Sequence, residues 1–141
     1  MSRSKLGILD TGPLVALLDS SDQHHSWAVE QTKSFEGPLM TCEPVLAEAF
    51  FLLRQLRSGQ EMILQWLEQG ALRCSFSVHQ EVNPLRELWK KYRDVPMSLA
   101  DACLVRMSET HRQAVVLTLD SDFVVYRKNK KDRIPFLHPD Y

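Results

Sequence analysis

Apolar positions along this chain come in two alternating patterns, short runs and longer stretches spaced by three and four. The segments "KLGIL" (Lys5 to Leu9), "PLMT", "ALRCSFSV", "AVVLTL" and "IPFLH" predict strands. "KLGIL" and "AVVLTL" do not alternate with polar residues, as expected of strands buried on both faces. Between them the helical period recurs. Pro13 opens a helix through Leu14, Val15, Leu17 and Leu18 that stops near Asp19 to Asp22, and a second covers His24 to Phe35 with Trp27 and Val29 inward. Glu43-Pro44 opens a third helix carrying Val45, Leu46, Ala49, Phe50, Leu52, Leu53 and Leu56, since proline suits a helix's first turn. Ser58-Gly59 reads as its stop, followed by "QEMILQWLEQG", which Gly70 closes. "QEVNPLRELWKKYRDV" is helical after Pro84, with Leu85, Leu88, Trp89 and Tyr92, and "SLADACLVRMSETH" is the next helix.

Strands that alternate with helices pair in parallel through crossovers. The fold class is therefore α/β, a three-layer α/β/α sandwich around a mostly parallel sheet. A length of 141 residues suits one domain, 1–141, and the sequence shows no repeat or linker. No apolar run is long enough to span a bilayer, so no membrane association is expected and the location is expected to be cytoplasmic.

Cys42, Cys74 and Cys103 are widely spaced, without the pairing of a thiolate zinc site or a disulfide framework, and read as core. A formal net charge of −1 excludes nucleic-acid binding by bulk electrostatics. A polyanion would need bound cations or a local patch, for which Lys5, Arg54, Arg57, Arg106 and "RKNKKDR" are candidates, although such a charged run is commonly a solvated loop. His24, His25, His79, His111 and His138 lack metal-ligand spacing.

The acids are more informative. In open parallel sheets, ligands bind beyond the carboxyl ends of the strands. Asp10 directly follows the first strand and Asp120 the "AVVLTL" strand, so both emerge at one edge, while Glu48 and Asp101 occupy early turns of helices that can descend from it. Each has a structural explanation alone. Asp10 or Thr11 can cap the following helix, Ser98 and Asp101 form a capping box, Glu48 can edge an amphipathic face, and Asp120 or Asp122 can cap "FVVYR". Taken together they form a cluster with no basic residue to neutralise it. Carboxylates about 4 Å apart repel by roughly 4 kcal/mol at an effective dielectric near 20, so such a cluster requires protons or hard divalent cations.

The motifs "ILDTGPLVALLDSSDQHH", "EPVLAEAFFLL", "MSLADACLV" and "VLTLDSDF", in this order, resemble the PIN-domain ribonucleases, and among them the VapC-like toxins of VapBC-type toxin–antitoxin modules. The resemblance extends over nearly the whole chain. It implies an RNA phosphodiesterase using Mg²⁺ or Mn²⁺, with Asp10, Glu48, Asp101 and Asp120 as catalytic acids. Asp10, Asp101 and Asp120 would be metal ligands, Asp122 is the alternative fourth acid, and Thr11 and Thr118 would be supporting hydroxyls. It also implies an RNA substrate, a small antitoxin whose C-terminal segment covers the acidic pocket, and a homodimer. The apolar surface of "FFLLRQLRSGQEMILQWL" is consistent with a protein partner, although most of these residues can instead finish the core. The rival reading is a PIN-like module that binds RNA or protein without cutting.

Overall fold

In the computed structural model, which describes residues 5–141, the first buried run forms β1 (Leu6–Leu9) at the centre of a five-stranded sheet. The sheet also contains β2 (Leu39–Met40), β3 (Leu72–Arg73), β4 (Ala114–Leu117) and β7 (Phe136–Leu137), in the order β3-β2-β1-β4-β7. Every pairing in it is parallel, and β1 matches β4 residue for residue from Leu6 opposite Ala114 to Leu9 opposite Leu117. The chain leaves β1 for β2 on one side and returns to β4 on the other. The order therefore reverses between β1 and β4, which opens a crevice at their carboxyl ends.

Six α-helices flank the sheet: α1 (Thr11–Leu18), α2 (His25–Thr32), α3 (Glu43–Leu52), α4 (Arg57–Gln69), α5 (Val82–Lys91) and α6 (Leu99–Thr110). Ile8, Leu9, Val116 and Leu117 are fully buried, as are Leu14, Val45, Cys103, Leu104 and Met107 from the helices against them. Cys42 is buried and Cys74 half-buried, and all three cysteines are free thiols. This is the expected α/β/α sandwich.

Several boundaries differ from the expectation. The third helix ends at Leu52, and Ser58-Gly59 lies inside the first turn of α4. Gly59 is buried there, and a Cβ would approach Leu56 Cδ2 to 3.3 Å, so this glycine permits close packing and does not stop a helix. Gly70, at φ +80°, does end α4 in the left-handed conformation that glycine adopts without strain. "ALRCSFSV" is a strand only over β3. Trp89, which the spacing places on the apolar face of α5, is 63% exposed, and in α2 the expected inward residues Trp27 and Val29 are half-buried while Ala28 is fully buried. "RKNKKDR" contains an antiparallel hairpin, β5 (Arg127–Lys128) with β6 (Asp132–Arg133). Among the described residues, no helix is long and apolar enough to cross a membrane.

Candidate active site

β1 ends at Leu9, so Asp10 stands at the carboxyl edge with extended backbone angles and caps α1 by accepting the Thr11 N–H at 2.7 Å. Its other oxygen accepts the Thr118 hydroxyl at 2.7 Å. Thr118 follows β4 in the same way, is fully buried, and its Oγ1 also accepts the Asp120 N–H at 2.9 Å. One hydroxyl thus ties the ends of the two central strands and links Asp10 to the turn carrying Asp120. Thr11 donates its own hydroxyl to Glu48 Oε2 at 3.3 Å, which joins α1 to α3.

Asp101 enters from α6. Ser98 caps that helix, its Oγ accepting the Asp101 N–H at 3.0 Å, and the Asp101 carboxylate in turn accepts from the Ser98 backbone. The predicted capping box is therefore real, and it leaves Asp101 8% exposed at the crevice. Its Oδ2 also accepts the Tyr126 hydroxyl at 3.0 Å. Tyr126 is fully buried and held edge-on by Tyr92 and Phe123, both at ring centroid distances of 5.1 Å. Nothing in the pattern around "FVVYR" marks this tyrosine, because its position follows from a short 3₁₀ turn, Ser121–Val124, whose course only tertiary packing determines.

Asp10, Glu48, Asp101 and Asp120 line one cavity of about 510 Å³, together with Thr11, Gly12 and Ser98. Asp122 is absent from that lining; its N–H donates to Asp120 Oδ1 at 2.9 Å. Gly12 lets the Leu119 side chain pack closely at the rim, since a Cβ there would come within 2.7 Å of Leu119 Cδ1 and displace it.

The electrostatics follow from this geometry. Burial pushes the Asp10 carboxyl up to about 6, and the charges of Asp101 and Asp120 add to it, against the lowering by hydrogen bonds from Thr118 and Thr11. Asp101 is also raised, first by burial and then by Asp120, with the Tyr126 hydrogen bond opposing. No Lys or Arg lines the cavity. Its carboxylate oxygens are turned toward protein donors, and among the described residues no three His, Cys, Asp or Glu side chains converge as a ready-made metal cage.

The remaining candidates lie elsewhere. Arg106 is bound by Glu81 at 2.6 Å and Glu109 at 3.1 Å, so it is not a free phosphate ligand. Arg54 stacks on Phe51, 4.2 Å from its ring centroid. His25 Nδ1 lies 2.7 Å from the Ala16 carbonyl oxygen, and His138 Nε2 lies 3.1 Å from that of Leu119.

The PIN domain family model matches residues 7–129, a span that includes all four cavity acids. Ribonuclease VapC26 of Mycobacterium tuberculosis (strain ATCC 25618 / H37Rv) is 28% identical over 115 residues, which is 80% of this chain and 85% of that protein. The crystal structure of Mycobacterium tuberculosis VapC20, a sarcin–ricin loop cleaving toxin, superposes with a TM-score of 0.70 at 19% identity, covering 84% of this chain and 93% of that one. The last likeness concerns the fold alone. The family match, carried by a span that holds the whole acidic crevice, leads to the conclusion that this chain belongs to the PIN domain family and is VapC-like.

Proposed function

We propose that this protein is a Mg²⁺- or Mn²⁺-dependent ribonuclease that hydrolyses RNA phosphodiester bonds at the Asp10 crevice, and that it is the toxin of a toxin–antitoxin pair. The observation that carries this reading is the buried Thr118–Asp10 hydrogen bond. It joins the two strand ends at the point where sheet order reverses and ties Asp10 to the turn carrying Asp120, beside the cavity that Asp101 and Glu48 also line.

The donor set fits a hard divalent cation. It is all oxygen, it lacks a neutralising basic side chain, and its buried carboxylates are costly to ionise without a positive charge beside them. Asp10, Asp101 and Asp120 would hold the ion. When bound, it supplies a more acidic water and offsets charge on the phosphoryl oxygens.

The protein groups do the positioning. Thr11 N–H and the Thr118 hydroxyl fix both oxygens of Asp10, while Tyr126 and Ser98 fix Asp101, so neither carboxylate has to be ordered during the reaction. Glu48 is exposed at the mouth of the cavity and is the acid best placed to take a proton from an attacking water. No protein nucleophile is called for.

Exposed Phe51 and Leu52 on α3 and Met62 and Leu64 on α4 offer an apolar face for the antitoxin, and Trp89, Val82 and Leu99 offer a second for a homodimer. Purified protein is expected to cut structured RNAs in Mg²⁺ or Mn²⁺ and to stop in excess EDTA, with a small neighbouring gene product copurifying. Cleavage that survives EDTA would contradict the metal reading. RNA binding with no cleavage of any RNA under either ion would favour a binding module.

A further inference from the structure

We propose that the β5–β6 hairpin and the groove beneath it bind the phosphate backbone of the RNA at a distance from the acidic crevice. This inference rests on reading the chain as a ribonuclease. Residues 127–133 contain five basic side chains and one carboxylate, Asp132, in a chain whose net charge is −1. Among the described residues, no carboxylate lies within ion-pair distance of Lys128, Lys130, Lys131 or Arg133, nor of Lys5 or Arg112 nearby.

The hairpin is held in place. Asn129 and Lys130 take φ of 50° and 71°, and the Lys131 N–H donates to the Lys128 carbonyl oxygen across them at 3.2 Å. Glycine suits the second of these positions far better than lysine, and a left-handed non-glycine residue costs on the order of 1 kcal/mol. Two clasps hold the turn: the Asn129 N–H donates to Glu109 Oε2 at 2.6 Å, and Lys91 Nζ donates to the Lys130 carbonyl oxygen at 2.7 Å. A lysine is thus kept at a strained tip where a glycine would be cheaper, on a fixed scaffold that presents its charge.

The hairpin borders two adjoining clefts of about 470 and 440 Å³ that share Arg112, Gln113 and Lys128. The first is also lined by Asn129 and by Glu109, whose carboxylate is engaged by Arg106 and the Asn129 N–H. Lys5 also lines the second cleft and directly precedes β1, while Gln113 directly precedes β4. The clefts therefore lie at the amino edge of the sheet. At about 3.3 Å per residue, β1 separates Lys5 from Asp10 by about 17 Å. The two edges are connected along one flank. Tyr126 touches Asp101 at the crevice, Arg127 and Lys128 follow it, and Asn129 reaches Glu109 in the last turn of α6. A single strand whose scissile phosphate lies at the acids would have neighbouring phosphates along this basic flank. There the lysines could neutralise them without bringing positive charge into the crevice.

The test measures binding of a fluorescent single-stranded RNA, long enough to reach both edges, by anisotropy in EDTA across a salt series. The variants are Arg112→Gln, Lys128→Gln and Lys130→Asn, singly and combined, with Lys33→Gln on α2 as control. Asparagine keeps the left-handed turn accessible, and thermal melts verify folding. The combined variant is expected to bind roughly tenfold or more weakly and to reduce the steepness of log K against log[salt] by about 2, at about 0.7 for each phosphate no longer neutralised. The control is expected to match wild type. Cleavage of a dinucleotide in Mn²⁺, too short to reach the groove, is expected to be unchanged in the combined variant. Wild type that binds and cuts RNA while the combined variant keeps its affinity and salt slope would overturn the inference and leave the ribonuclease reading standing. Wild type that neither binds nor cuts would overturn both.

Discussion

Asp10→Asn and Asp101→Asn are each expected to lower RNA cleavage roughly a thousandfold or more, equivalent to about 4 kcal/mol of transition-state stabilisation. Both residues are buried at the crevice, and each is fixed by one local donor and one distant one, Thr11 N–H and the Thr118 hydroxyl on Asp10, Ser98 and the Tyr126 hydroxyl on Asp101. The effect should be graded across the acids. Glu48→Gln should cost less, roughly tenfold, because Glu48 is exposed and tied to the site only by a 3.3 Å contact from Thr11. Asp122→Asn should cost least, since Asp122 lies outside the cavity lining and meets Asp120 through its backbone N–H. Initial-rate assays on one RNA at saturating Mn²⁺ give the ranking. If Asp122→Asn abolished cleavage while Asp10→Asn spared it, the site would be misassigned.

The same substitution that removes activity is expected to stabilise the metal-free protein at neutral pH. The Asp10 pKa is raised from 3.8 to about 6, so ionising this side chain opposes folding. Its favourable contribution is fully present below the unfolded value of 3.8 and is lost as pH rises through about 6. A shift of that size corresponds to roughly 3 kcal/mol. In urea melts without metal, Asp10→Asn should therefore match wild type near pH 4 and exceed it above pH 7 by an amount approaching that figure. Mn²⁺ should then stabilise wild type and leave the variant unmoved, since an ion stabilises only a fold that binds it. A stability difference that is the same at both pH values would contradict this account of the crevice.

These effects concern residues that can be found in the sequence, and the reason is geometric. β1 and β4 are buried runs without alternation that pair in parallel with Leu9 opposite Leu117, so Asp10 directly after β1 and Asp120 three residues after β4 appear at the same edge. Capping and candidate chemistry also prove compatible. Asp10 caps α1, and Asp101 closes a box with Ser98, while both still face the cavity. A cap fixes a carboxylate at a helix start, which is also where an open α/β sheet places its crevice.

Other features are not legible in the sequence because they depend on contacts between distant segments. Tyr126 reaches Asp101 only because Tyr92 and Phe123 brace its ring. Arg106 has the look of a free cation in the sequence, but α6 brings it against Glu81, which lies 25 residues earlier. The break between α3 and α4 is hidden because Leu52, Leu53 and Leu56 continue the helical period across it, while Leu53 leaves the helical conformation. Trp89 satisfies the apolar face of α5 by spacing, yet it lies outward beside Val82 and Leu99. The strained hairpin resembles a charged loop in the sequence, because its turn uses asparagine and lysine where a sequence signal would be Asn-Gly.

The central claim is that distant acids form one cation-binding crevice, and a crystal grown with Mn²⁺ tests it most directly. The account predicts an anomalous difference peak bounded by carboxylate oxygens of Asp10, Asp101 and Asp120, absent from Asp101→Asn crystals grown in the same solution. A peak bound elsewhere on the surface, with the crevice carboxylates still turned to Thr118 and Tyr126, would contradict it.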